Sequence, residues 1–130
     1  MQNLKPFKGV EITFRQGYLH ITHPENFVVL PADLDALWMN VANACKIYDC
    51  NRVLNEGKVD FSRLRAFDSY NAGFQAGEIR GLRMACLFYD HTPDEKTEFF
   101  QTVASNRGAK IEYFTDRVEA LKWLGVEEDE

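Results

Sequence analysis

The chain has 130 residues, of which 45% are hydrophobic and 13% aromatic, and its twenty acidic and fifteen basic side chains leave a formal charge of -5. That is enough apolar surface for one core to offset the entropy of folding without disulfides or a structural metal, which argues against intrinsic disorder and for a single domain. The negative balance, with Arg15, Lys46, Arg52, Arg63, Arg80, Lys96 and Lys110 scattered along the chain, argues against nucleic acid as a partner.

The stretch from Met1 to Val10 lacks the apolar core of a signal peptide, and no apolar run approaches the roughly 20 residues that cross a bilayer. A cytoplasmic protein that is not integral to a membrane is therefore expected. Cys45, Cys50 and Cys86 are odd in number and without framework spacing, so they read as small buried hydrophobes in a reducing compartment.

Val10, Ile12 and Phe14 alternate with polar residues. Gln16-Gly17 interrupts the pattern, and Leu19 and Ile21 resume it, which predicts an antiparallel hairpin with one buried face at a sheet edge. A turn around Pro24 leads to an extended Phe27 to Leu30, as expected before Pro31. From Ala32 the period changes: Leu34, Leu37, Trp38, Val41, Cys45 and Tyr48 fall at helical spacing, with Asp33 and Asp35 in the first turn, and the helix should stop near Asp49. Arg52 to Asn55 is read as a short strand followed by a loop at Glu56-Gly57-Lys58.

A second helix is expected from about Leu64 to Arg80, with Phe67, Tyr70, Phe74 and Gly77 on one side and Gly81 as the stop. Its interior glycines, Gly73 and Gly77, predict close packing on a sheet. Met84 to Phe88 is an almost unbroken apolar run of the kind buried on both faces, and reads as the central strand. Thr92-Pro93-Asp94-Glu95 opens a third helix as a capping box with proline at the first helical position. Phe99, Phe100, Val103 and Ala104 form its inner stripe, and Gly108 ends it. Lys110 to Thr115 is the last strand, Asp116 caps a short terminal helix bearing Val118, Ala120, Leu121 and Leu124, and residues 126–130 form an acidic tail that should be solvated and disordered. The order demands parallel crossovers, and the expected fold is α/β: one mixed, mostly parallel sheet of about five strands with about four helices.

The segment from Val103 to Gly125 resembles the C-terminal stretch of bacterial STAS-like proteins of the SpoIIAA-like subset, most closely at Asn106-Arg107-Gly108, Phe114-Thr115-Asp116 and Glu119 to Leu124. Cys50 to Leu54 after an amphipathic helix, and Gly81 to Ala85 entering a strand, look like the same family, so the likeness spans about Pro31 to Gly125. It implies a STAS-like fold and a regulatory or binding module acting through a protein partner or a small apolar or anionic ligand. The wider family includes anti-sigma-factor antagonists phosphorylated on a serine at the start of the second helix. The nearest match is Asp60-Phe61-Ser62 followed by Asp68-Ser69, which makes Ser69 the candidate phosphorylation site, although Tyr70-Asn71 stands where the family has a small residue and glycine.

Chemistry-bearing motifs are sparse. His20, His23 and His91 do not have the spacing of metal ligands, Cys45 and Cys50 do not form a redox pair, and the common nucleotide and hydrolase signatures are absent, so neither metal nor cofactor is expected. Glu56, Asp60, Asp90 and His91 lie after strands, where open α/β sheets bind ligands. If Glu56, Asp90 and His91 met within hydrogen-bonding reach, a small enzyme would be the alternative reading. Arg107 beside Gly108 is placed either to grip an anion or to meet the carbonyls ending the third helix. Phe27, Trp38, Tyr48, Phe67, Tyr70, Phe74 and Trp123 exceed what a small core requires, so some are expected to line a groove or a homodimer interface, with Trp38 and Tyr70 as pocket candidates.

Overall fold

In the computed structural model, which describes residues 7–127, the two-residue alternation becomes an antiparallel hairpin. Its strands are β1 (Glu11–Phe14) and β2 (Leu19–Thr22), turning through Gly17 at φ +86°. From β2 onward the strands run parallel. β2 pairs with β4 (Arg52–Gly57), β4 with β6 (Arg83–Phe88), and β6 with β7 (Lys110–Phe114), giving the order β1-β2-β4-β6-β7. A second parallel pair, β3 (Phe27–Val28) with β5 (Val59–Asp60), continues the chain past β2 and β4.

The intervening segments form α1 (Leu34–Ile47), α2 (Ala66–Gly77) and α3 (Glu95–Asn106), with α4 (Arg117–Leu124) last. The fold is α/β with a mixed, mostly parallel five-stranded sheet and four α-helices among the described residues. The small pair of β3 and β5 stands apart from that sheet.

Side-chain alternation assigns the two faces. Leu19, Ile21, Val53, Met84, Cys86 and Ile111 pack with Leu34, Val41 and Ala44 of α1, Ala72 and Ala76 of α2, and Ala104 of α3. The opposite face carries Tyr18, Leu54, Ala85 and Leu87 against Ala120, Leu121 and Leu124 of α4. Because both faces are covered, Met84 to Phe88 is buried throughout, as its unbroken apolar run implies.

Several local expectations are revised. β4 extends through Gly57, held by its ladder to β6 as far as Phe88, so Glu56 lies on a strand and not in a loop. β4, not β6, is the middle strand. Of the hairpin strands only β1 lies at a sheet edge, β7 forming the other; β2 is covered on both faces, which buries Tyr18 and His20.

In α2 the inward residues are Asp68, Ser69, Ala72, Gly73 and Ala76, whereas Phe67 and Tyr70 are 65% and 45% exposed. The glycines explain the rotation. A Cβ on Gly73 would lie 2.8 Å from the Phe100 carbonyl oxygen, and one on Gly77 would overlap Arg107 Cβ. They permit close approach to α3, not to the sheet, and turn the small-residue stripe inward and the bulky one outward. The helix also stops at Gly77, short of Arg80.

α3 begins at Glu95 with Asp94 as its cap. The Asp94 carboxylate accepts from Thr97 N (3.0 Å) while Thr97 Oγ1 accepts from Asp94 N (2.8 Å), so Pro93 precedes the helix. Its inner face runs through Thr97, Phe100 and Ala104, and Phe99 points outward. Asp116 caps α4 by accepting from Val118 N, and Gly125 closes it in the left-handed conformation at φ +75°. Val126 packs on the α4 core; of the acidic tail, residues 128–130 lie outside the described residues.

Candidate functional site

The layer between the sheet and α1–α3 is incompletely filled. The side chains that α2 turns toward the sheet, Ser69, Ala72 and Ala76, are too short to occupy the space a helix needs above a pleated surface, and a partly enclosed pocket of about 120 Å³ remains. Its floor is Ile21, Asn55, Met84 and Cys86. Trp38 and Val41 of α1 wall one side, and Thr97 and Phe100 of α3 the other. Phe61, Leu64, Phe88 and Tyr113 complete a largely apolar lining.

The polar groups at this pocket are mostly committed elsewhere. Lys96 Nζ donates to the Leu64 carbonyl (2.7 Å), Tyr113 donates its hydroxyl proton to the Thr97 carbonyl (2.7 Å), and Thr97 Oγ1 belongs to the α3 cap. His23 Nδ1 donates to the Glu56 carbonyl (3.0 Å), and burial lowers the imidazole pKa below its ordinary value despite that bond. Burial likewise pushes the Tyr113 hydroxyl and the Cys86 thiol well above their usual ranges, which keeps both neutral and the thiol unreactive. Cys45 is raised to about 11 by burial and by Cys50, so its thiol is also quiet.

A second cluster lies on the α4 face. Glu56 Oε1 accepts from His20 Nε2 at 2.7 Å and from the Arg117 guanidinium at 2.5 Å, and Oε2 accepts from the Tyr89 hydroxyl. His20 Nδ1 faces Arg15 at 3.4 Å, an arrangement that fits a ring proton on Nε2. Burial alone would raise the Glu56 carboxyl, but the hydrogen bonds from Tyr89 and His20 and the charge of Arg117 outweigh it and hold the group below the usual carboxylate range. Three donors engage this carboxylate, so it ties the first turn of α4 to β2, to β4 and to the end of β6.

The structure separates the other residues singled out in the sequence. Asp90, at φ +60°, pairs with Lys58 (3.1 Å) in an exposed turn. His91 stands among Phe61, Phe88 and Tyr113, with ring centroids 5.7 to 6.1 Å away, and its Nε2 is buried without a partner among the described residues. No hydrogen bond joins Glu56, Asp90 and His91. Asp60 is exposed and accepts from Ser62 N, and the Ser62 hydrogen bonds lower its pKa.

Arg107 lies 3.8 Å over the Phe74 ring, and its Cβ rests against Gly77, so packing occupies it. Ser69 is 4% exposed and lines the pocket, which places the candidate phosphorylation site inside the fold. Among the aromatic residues in apparent excess, Trp38 lines the pocket. Tyr70 is exposed, Tyr48 stacks on Phe14, and Trp123 stacks under Arg83.

Sequence reasoning missed Asn55, His23 and Phe61, which line the pocket, and His20 with Arg117, which hold Glu56. Asn55 carried a signal: a polar residue alternating in phase with Val53 on a strand buried on both faces. Among the described residues no group of three or more His, Cys, Asp or Glu side chains is placed to hold a metal, and no helix is long and apolar enough to cross a membrane. A scan against protein-family models and searches of curated proteins and of solved structures find no match.

Proposed function

We propose that this chain is a STAS-like binding module that takes a small apolar molecule into the pocket between its sheet and α1–α3. The observation that carries the reading is the pocket itself, about 120 Å³ lined by Trp38, Phe61, Phe88, Phe100 and aliphatic side chains. The STAS-like part of the reading rests on the resemblance of Val103 to Gly125, and the mixed, mostly parallel five-stranded sheet is the fold class that this resemblance implies. The enzyme alternative loses its support, because Glu56, Asp90 and His91 do not converge and Glu56 is engaged by three donors.

The two tryptophans provide the test, since Trp38 lines the pocket and Trp123 lies on the α4 face. In a Trp123→Phe variant, emission from Trp38 should change saturably on titration with toluene, while a Trp38→Phe variant should stay silent. Equal responses from the two tryptophans, or none from Trp38, would reject the reading.

A second reading, action through a protein surface, is favoured by Phe67 and Tyr70 standing exposed on α2. Sedimentation of the wild-type chain and of Phe67→Ser tests the homodimer form of it. A dimer lost on substitution supports the surface, and a monomer in both cases counts against self-association.

A further inference from the structure

Within this pocket the fold leaves one amide unsatisfied. Asn55 sits on β4, the middle strand, and shares the pocket face with Val53. Its Nδ2 reaches only Met84 Sδ, at 3.9 Å, and its Oδ1 is buried with no hydrogen-bond partner among the described residues. A buried carbonyl oxygen without a donor is uncommon because nothing offsets its lost hydration. The neighbouring donors do not turn to it: Lys96 serves Leu64, Tyr113 and Thr97 serve the first turn of α3, and Ser69 and Asn40, which also line the pocket, do not reach it. A donor on whatever fills the pocket would satisfy it.

Size narrows the occupant further. A dry cavity of roughly 150 Å³ is known to accept benzene, so about 120 Å³ in a pocket that is only partly enclosed limits the occupant to a single ring, with any substituent reaching beyond the enclosed space. Charge narrows it again, because Lys96 is already engaged and an ionised group would be buried without a counter-ion.

We infer that the ligand is a neutral single-ring alcohol or amine whose O–H or N–H donates to Asn55 Oδ1, so that Asn55 determines specificity for aromatic alcohols over hydrocarbons of the same shape. This rests on the pocket being a ligand site, and the test separates the two statements.

Calorimetric titrations of the full chain with phenol, toluene and benzaldehyde are compared between wild type and Asn55→Leu, a replacement of similar size that removes the amide. Phenol and toluene differ by a hydroxyl for a methyl group. The ratio of phenol to toluene affinity should therefore fall by about tenfold or more in the variant. The wild-type chain gives an independent reading: the Asn55 side-chain amide signals in a proton–nitrogen correlation spectrum should move with phenol and much less with toluene, whether or not the variant folds.

An unchanged ratio together with equal amide shifts would overturn the role of Asn55 and leave the ligand pocket standing. A preference for benzaldehyde, which only accepts, would show the amide turned the other way and overturn the donor assignment. Failure of both phenol and toluene to bind wild type would overturn the inference and the pocket reading together.

Discussion

Replacing Gly73 with alanine sets two effects of opposite sign against each other. In an exposed helix interior alanine is favoured over glycine by about 1 kcal/mol. At position 73, however, the new Cβ would lie 2.8 Å from the Phe100 carbonyl oxygen, 2.8 Å from Val103 Cβ and 2.9 Å from Val103 Cγ1, whereas carbon contacts settle near 3.5 to 4.0 Å. One of the three obstacles is backbone and the others belong to a β-branched side chain, so relief requires α2 and α3 to move apart by most of an ångström. Overpacking of this kind costs about 1–3 kcal/mol, and separation also loosens contacts along the rest of the interface. Gly73→Ala should thus be destabilised by about 1–2 kcal/mol despite its better helix propensity, which lowers Tm by about 3–8 °C for a chain of this length. Equilibrium urea unfolding at constant m-value measures it directly. A variant as stable as wild type, or more so, would refute the claim that the glycines exist for the α2–α3 contact.

Other substitutions probe the polar residues. His23 has a folded pKa below 6.5 because it is buried. Between the folded and unfolded values the unfolded chain binds more protons, so its stabilising contribution is complete above about pH 6.5 and declines as pH falls through the folded value. His23→Asn keeps a donor toward the Glu56 carbonyl without titrating, and should flatten the loss of stability as pH falls below about 6.5 in denaturant titrations; an unaltered slope would contradict the assignment. Glu56 is held below its ordinary 4.5, so its contribution is present above that pH and vanishes as pH drops through the folded value. Glu56→Gln, which puts an amide against three donors, should cost about 2–4 kcal/mol near neutral pH and speed amide hydrogen exchange in α4 before that in α2. Exchange rising first in α2 would show that Glu56 does not anchor α4.

The architecture was legible because repeat period and burial agree in most elements. Leu34 through Tyr48 carries an uninterrupted helical stripe, Met84 through Phe88 an unbroken apolar one, and the structure makes both what those patterns require. Where the patterns misled, tertiary contact decided. Phe67 and Tyr70 mark a regular apolar side of α2, yet Gly73 and Gly77 seat that helix on α3 and rotate the aromatics outward. Glu56 looked like loop polarity because nothing local announces that Gly57 still pairs with Phe88.

The candidate site was less legible. Trp38 and Ser69 reach the pocket, but Phe61, Phe88, Phe100 and Tyr113 come from segments far apart in sequence, and their convergence is a property of sheet order. Asn55 becomes meaningful only once its strand is known to be the middle one.

A binding role for that space requires that it admit an apolar guest. A crystal held under xenon pressure gives the answer in one diffraction experiment, because xenon enters apolar cavities of this size without needing a hydrogen bond. The predicted result is an anomalous peak bounded by Trp38, Asn55, Met84 and Phe100. An empty pocket at pressures that fill comparable cavities, or a peak only on the α4 face near Trp123, would contradict it.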